Sequence, residues 1–296
     1  MEQFYGIYPA LVSPFDAKGE LNTSVIQDLV DWHLGVGVDG FYVCGGTGEG
    51  LLLTLEERKL MTEATVKAAN GRGKVIVHVG EISTRAAVDL AQHAQANGAD
   101  AISAIPPIYY PADRPALVEH YRLVSAAADL PLFVYHIPSS TGSTMTVDLM
   151  RALLEIPNVK GIKFSDYSHS LMRDLGMLAP DMVVYSGNDD VFLSGLIMGA
   201  NGGIGLTYNF MPQLFVGIYR AFQSKDLSLA RELQWKACDM IQTLLSIAGP
   251  TIASAKVAMG HLGYDVGLPR LPIRPLTEEE ARTVTERLDE LGLGNP

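Results

Sequence analysis

Lys163 stands between Ile162 and Phe164 in a short run rich in β-branched and aromatic residues (158–166, NVKGIKFSD), bounded by Pro157 and by Ser165-Asp166. The run reads as a strand. Lysine is seldom buried without a partner or a task, and shelter from water favours the neutral amine, the form that attacks ketones. Imine formation with a carbonyl compound is the chemistry this placement offers; the competing reading is a lysine that reaches past the strand end into solvent. Tyr135 closes another strand, in which Phe133, Tyr135 and Ile137 share a face. A phenol there relays a proton to and from a reacting carbonyl or hydroxyl if Thr47 or another hydroxyl orients it; packing alone is the alternative. His136 faces the opposite way and reads as structural.

In residues 44–50 (CGGTGEG), closely spaced glycines let the backbone turn tightly and bring N–H groups to a ligand, and Thr47 adds a hydroxyl. Such a nest suits a carboxylate, unless it is only a connecting turn. A dinucleotide fingerprint would open a helix directly, whereas here the helix begins later, at Thr54, and no Gly-Lys-Ser/Thr follows for a P-loop. Cys44 has no positioned histidine and reads as a buried strand cysteine. Tyr109 and Tyr110 form an exposed aromatic pair, either a packed loop or an interface through which an oligomer partner reaches a neighbour's site. Residues 187–190 (GNDD) and 199–205 (GANGGIG) would turn polar groups towards a ligand's distal end, with Asp189 or Asp190 expected to cap the following helix.

Eight pairs of strand and helix patterns position these residues between Tyr5 and Phe222. The expected strands are 6–12, 40–44, 74–79, 101–105, 132–137, 159–165, 182–186 and 202–206. The expected helices are 24–34, 55–69, 84–96, 114–127, 147–154, 168–177, 191–198 and 212–222. Eight such units imply an α/β fold, a (β/α)₈ TIM barrel, with a doubly wound sheet as the rival. Thr54 and Glu57 form a capping box, and Asn70-Gly71 ends that helix. Beyond the barrel, assigned to 1–224, a C-terminal helical extension is expected over 225–296, with helices at 227–247, 252–262 and 278–291 and an extended bridge at 269–275. In a barrel, function belongs at the C-terminal strand ends, where residues 44–50, 135–142 and 163–166 all fall.

Composition narrows the partners. The 296 residues hold 22 basic and 33 acidic side chains, a net charge of −11, with no basic cluster to follow a phosphate backbone. No nucleic-acid partner is expected. Neither a membrane-length apolar run nor a signal-peptide pattern is visible, so the expected location is cytoplasmic and no membrane partner is expected. Two distant cysteines imply reduced thiols, and seven histidines without HExxH spacing imply no metal site.

Five motifs, GGTGE at 45–49, PxYYP at 107–111, YHIPSSTG at 135–142, GIKFSD at 161–166 and GANGGIG at 199–205, together resemble the N-acetylneuraminate lyase and dihydrodipicolinate synthase family over nearly the whole chain. The resemblance implies a class I, Schiff-base aldolase or lyase acting on pyruvate or a 2-keto acid, a homotetramer, and no cofactor beyond the covalent imine. By it Lys163 looks like the Schiff-base lysine, Tyr135 the proton relay and Thr47 its hydroxyl partner. Gly46, Thr47, Ile137 and Ser165 then correspond to substrate contacts near the keto acid, and Gly187, Asp189, Asp190, Gly205 and Leu206 to contacts further out. Five positions depart from the family's pattern. Gly46 replaces a second hydroxyl residue, and Ser140 replaces the arginine that grips a second carboxylate in the synthases, which disfavours dihydrodipicolinate synthesis. Asn188 and Asp190 stand where sialic acid lyases carry an aromatic and a glutamate, and Leu206 where a serine is usual. Cleavage of a 2-keto-3-deoxy sugar acid such as N-acetylneuraminate is the leading expectation. A 2-keto-3-deoxygluconate-type aldolase or dehydratase, or a dihydrodipicolinate synthase-like enzyme, is the alternative.

Overall fold

The computed structural model describes residues 1–247 and 249–294. Its eight strands are β1 (Gly6–Pro9), β2 (Gly40–Val43), β3 (Lys74–His78), β4 (Ala101–Ala104), β5 (Leu132–His136), β6 (Val159–Phe164), β7 (Val183–Ser186) and β8 (Gly202–Gly205). All pair in parallel, in the order β1-β8-β7-β6-β5-β4-β3-β2. Closure between β1 and β2 comes from an Ala10–Tyr42 bridge and a hydrogen bond from Leu11 N to Tyr42 O of 2.9 Å. The expected TIM barrel is the observed fold. Around it lie α1 (Ile26–Val36), α2 (Leu55–Ala69), α3 (Thr84–Ala96), α4 (Arg114–Ala126), a single turn α5 (Pro138–Thr141), α6 (Val147–Leu154), α7 (His169–Gly176), α8 (Phe192–Ile197) and α9 (Pro212–Gln223). Then come α10 (Leu227–Ser246), α11 (Thr251–His261) and α12 (Glu278–Glu290). Within the extension, Ala248, Asn295 and Pro296 lie outside the described residues.

Most strands end a residue or two earlier than their apolar runs, because the ladder stops where the backbone finds other partners. The first run, expected to reach Val12, ends at Pro9, and Val12 N turns to the side chain of Asn209 at 3.0 Å. The turn α5 was not expected; Pro138 opens it and Gly142, at φ 66°, ends it.

Aromatic rings fill the barrel interior. Phe4, Tyr8, Phe133 and Tyr185 meet edge to face with centroids 5.4 to 5.5 Å apart, so the lower barrel is packed solid. At the C-terminal mouth a cavity opens above Lys163. The register Tyr135–Lys163–Tyr185 across β5, β6 and β7 turns the lysine inward between two tyrosine-bearing strands.

Helix α2 starts at the expected capping box, with Thr54 Oγ1 accepting from Glu57 N at 3.2 Å and Thr54 N donating to Glu57 Oε2 at 2.8 Å. On its buried face Arg58 donates to His78 O at 2.6 Å and Gly80 O at 3.0 Å and pairs with Glu81 at 3.2 Å. Removing that guanidinium strands two carbonyls and one carboxylate. Arg58→Met is expected to lower unfolding free energy in urea by about 3 kcal/mol, while Arg122→Met on the exposed face of α4 leaves it unchanged within error. Equal effects from the two variants would contradict this reading.

Candidate active site

Lys163 leaves β6 at the barrel mouth, buried with 4% of its surface exposed. Its Nζ lies 4.1 Å from the centroid of the Tyr135 ring and 4.3 Å from that of Tyr42. The lysine therefore points inward, not out to solvent. Among the described residues its amine has neither an ion pair nor a hydrogen bond, and the two π faces are its polar neighbours. Tyr42 was not singled out in the sequence. It occupies an inward position of β2, donates to Ser103 Oγ at 3.1 Å, and burial raises its pKa well above the usual tyrosine value.

A cavity of about 270 Å³ opens above the amine. Thr47, Tyr135, Ile137, Lys163 and Ser165 line its inner part; Gly187, Asp189, Asp190 and Leu206 line the outer part. Of the expected contacts, Gly46 faces an adjoining apolar hollow and Gly205 lies behind Asp189, where a Cβ would fall 2.2 Å from Oδ1. Gly187 is needed in the same sense, since a Cβ there would meet Ser165 Oγ at 2.0 Å. The hydroxyls of Tyr135 and Thr47 make no hydrogen bond to each other, and among the described residues neither has another partner.

The loop 44–50 is bent at both ends. Cys44 and Glu49 take left-handed φ of 60° and 55°, and the turn is closed by Glu49 N to Gly46 O and Gly50 N to Gly45 O, each 3.0 Å. His78 secures the first bend: Ile105 N donates to its Nε2 at 3.3 Å, which leaves Nδ1 to donate to Cys44 O at 3.1 Å. Burial, with help from Arg58 and Lys163, drives its pKa well below the usual histidine value and keeps the ring neutral. Cys44 is fully buried and burial pushes its thiol up to about 11, so it is no nucleophile, as expected. His136 is structural too, accepting from Met145 N at 3.4 Å and lying 3.3 Å from Asp166.

One expectation is corrected. Neither Asp189 nor Asp190 caps the following helix, because Gln234 of α10 does that work: its Oε1 accepts Leu193 N at 2.9 Å and its Nε2 donates to Asp189 O and Asp190 O at 3.0 and 3.2 Å. Asp189 instead accepts from both N and Oγ1 of Thr207 at 2.7 Å, and Asp190 accepts from Tyr167 at 3.1 Å. Sequence reading also missed Tyr167 and the apolar wall of Ile241, Leu244 and Leu245 from α10. Tyr109 and Tyr110 are exposed, at 84% and 69%, and pack edge to face at 5.0 Å.

A closed barrel that buries an unpaired amine at the mouth of its sixth strand, beside a phenol from the fifth, has the architecture of an imine-forming aldolase. The chain matches the Dihydrodipicolinate synthetase family over residues 3–291 and belongs to that family, whose members are Schiff-base forming aldolases. It is similar to the N-acetylneuraminate lyase of Rhizobium meliloti (strain 1021), 39% identical over 281 residues, which cover 95% of this chain and 93% of that protein. Among solved structures, the wild-type sialic acid aldolase of Ruminococcus gnavus superposes with a TM-score of 0.95 at 30% identity, covering 98% of this chain and 97% of that one. YagE, an E. coli K12 prophage protein of the dihydrodipicolinic acid synthase family solved with pyruvate, gives 0.92 at 29% identity over 98% and 99%.

Burial raises the Asp189 carboxyl to about 6 from 3.8, against the pull of Thr207 and of Lys163. The folded chain then holds this proton more tightly than the unfolded chain, so the contribution of Asp189 to stability becomes less favourable as pH rises from about 4 to about 6. Asp189→Asn keeps an acceptor for Thr207 and removes the titration. Its stability relative to wild type is expected to rise across that window by up to about 3 kcal/mol and stay level above it, read by urea unfolding at each pH. A gap independent of pH would contradict the assignment.

Proposed function

We propose that the protein cleaves a 2-keto-3-deoxy sugar acid such as N-acetylneuraminate into pyruvate and an aldehyde through a Schiff base on Lys163. The observation that carries this reading is the buried, unpaired Lys163 amine 4.1 Å from the Tyr135 ring centre, in a cavity of about 270 Å³. The neutral amine adds to the C2 ketone, and Tyr135 gives its phenolic proton to the departing hydroxyl, so that water leaves and a protonated imine and a phenolate remain. Tyr135 takes the proton of the C4 hydroxyl, the C3–C4 bond breaks, and its electron pair moves into the imine to form an enamine. The aldehyde departs. Protonation at C3 and hydrolysis then release pyruvate and restore the amine, and no cofactor enters the scheme.

The carboxylate is assigned to the amides of Gly46 and Thr47 and the Thr47 hydroxyl, with Ile137 and Ser165 beside the reacting carbons. Gly187, Asp189, Asp190, Gly205 and Leu206 are assigned to the distal chain. The apolar wall of Leu206, Ile241, Leu244 and Leu245 favours, as a second reading, a shorter 2-keto-3-deoxy sugar acid with fewer hydroxyls to satisfy. Residues 1–224 form the catalytic barrel in this scheme and 225–296 an extension that completes it. We also assign the protein to the cytoplasm as a homotetramer, with Tyr109 and Tyr110 at an interface between copies; light scattering that gives a monomer would remove this part of the proposal.

Borohydride added with pyruvate is expected to leave a reduced pyruvyl adduct on the peptide that contains Lys163; an adduct on any other peptide would overturn the scheme. Tyr135→Phe is expected to keep that adduct while turnover falls roughly 10²- to 10⁴-fold. Full turnover in this variant would take away the relay. A panel of 2-keto sugar acids, N-acetylneuraminate included, separates cleavage, which frees pyruvate, from dehydration, which yields a longer keto acid.

A further inference from the structure

The molecule buries a second lysine. Lys256, on α11, has a side chain 1% exposed, and its Nζ stands 2.8 Å from Oε1 of Glu49, whose side chain has no exposure at all. The same ammonium donates to Ser13 O at 2.9 Å and Leu268 O at 3.2 Å and sits 4.0 Å from the Phe15 ring centre. The other oxygen of Glu49 accepts Arg270 N at 2.7 Å, and Ser13 Oγ donates to Gly48 O at 2.6 Å. Unlike Lys163, this amine is surrounded by partners.

We propose that Lys256 and Glu49 are positioning residues, through which the C-terminal extension holds the 44–50 loop in the shape that receives the substrate carboxylate. The inference rests on the Schiff-base reading above and deepens it. Glu49 sits at the second bend of the loop with φ 55°, a conformation that a non-glycine residue keeps only when its surroundings insist on it. His78 and the Cys44 carbonyl define the first bend, and the Lys256–Glu49–Arg270 cluster defines the second. Between them, the N–H groups of Gly46 and Thr47 and the Thr47 hydroxyl have no partner among the described residues. They are donors held in waiting for an anion.

Stability is a poor account of the pair, because desolvation of two charges offsets most of their attraction and apolar replacements are often as stable. Burial also works against the charge on Lys256, lowering its pKa. What the pair does supply is one loop geometry, since the ammonium, the carboxylate and their backbone partners fit together in a single arrangement. Lys256 itself does not line the cavity above Lys163, so its influence passes through Glu49. Loss of the clamp should weaken the grip on a carboxylate while leaving the reacting amine, on β6 at the far side of the barrel from β2, in place.

The test compares reductive trapping by borohydride on the full chain with two ketones of similar size: pyruvate, which carries a carboxylate, and hydroxyacetone, which does not. In Lys256→Met the half-saturating pyruvate concentration is expected to rise about tenfold, with less than about a twofold change for hydroxyacetone. Glu49→Gln is expected to shift in the same direction by a smaller factor, and it carries the comparison if Lys256→Met does not fold. A doubly neutral Glu49→Gln/Lys256→Met chain is expected to fold and to show the same selective loss. Equal shifts for both ketones, or no shift for pyruvate, would overturn the proposal. Wild-type protein that pyruvate and borohydride do not label would overturn the imine reading beneath it, a failure distinguishable because it precedes any variant.

Discussion

Burying an amine without a counter-ion is costly, and this fold does so at Lys163. Every other buried base among the largest buried side chains and ion pairs is partnered: Arg58 by two carbonyls and Glu81, Lys256 by Glu49 and two carbonyls. Among the described residues Lys163 has no hydrogen bond or ion pair and lies over the faces of Tyr42 and Tyr135. An amine kept in that state is available to a carbonyl compound in a way that a fully paired ammonium is not. The aromatic plug of Phe4, Tyr8, Phe133 and Tyr185 closes the barrel from below, so the amine is reached from the C-terminal mouth.

The surrounding structure divides the work of holding that mouth in shape. Strands aim the reacting side chains, because parallel register between β5 and β6 sets Tyr135 directly beside Lys163. Loops present the polar groups, and helices behind them fix the loops: α2 through Arg58 to His78 and Gly80, α10 through Gln234 to Asp189 and Asp190, α11 through Lys256 to Glu49. The helical extension is thus built into the site at two places. Its apolar residues Ile241, Leu244 and Leu245 also shape the outer cavity, alongside Asn188, Asp190 and Leu206.

Much of this was legible in the sequence. Eight alternations of short β-rich runs and amphipathic stretches carry the barrel, and the barrel rule then draws Lys163, Tyr135 and Thr47 to one end. Side-chain direction followed from period two, which put Tyr135 inside and His136 outside, as observed. What escaped reading shares one property: it depends on pairs far apart in the chain. Tyr42 looks like any strand tyrosine until β2 meets β6 across the barrel, and Lys256 lies 243 positions from the Ser13 carbonyl it reaches. The expected aspartate cap failed for the same reason, since the acceptor for Leu193 N arrives from Gln234, 41 positions along. Local propensity has no record of such meetings.

The central claim is that Lys163 binds a 2-keto acid covalently with its carboxylate turned to the 44–50 loop. A crystal structure of the protein with pyruvate tests it most directly. The account predicts continuous density from Lys163 Nζ to C2 of pyruvate, with the carboxylate against the amides of Gly46 and Thr47. Pyruvate bound without a bond to Lys163, or bonded with its carboxylate directed towards Asp189 and Asp190, would contradict it.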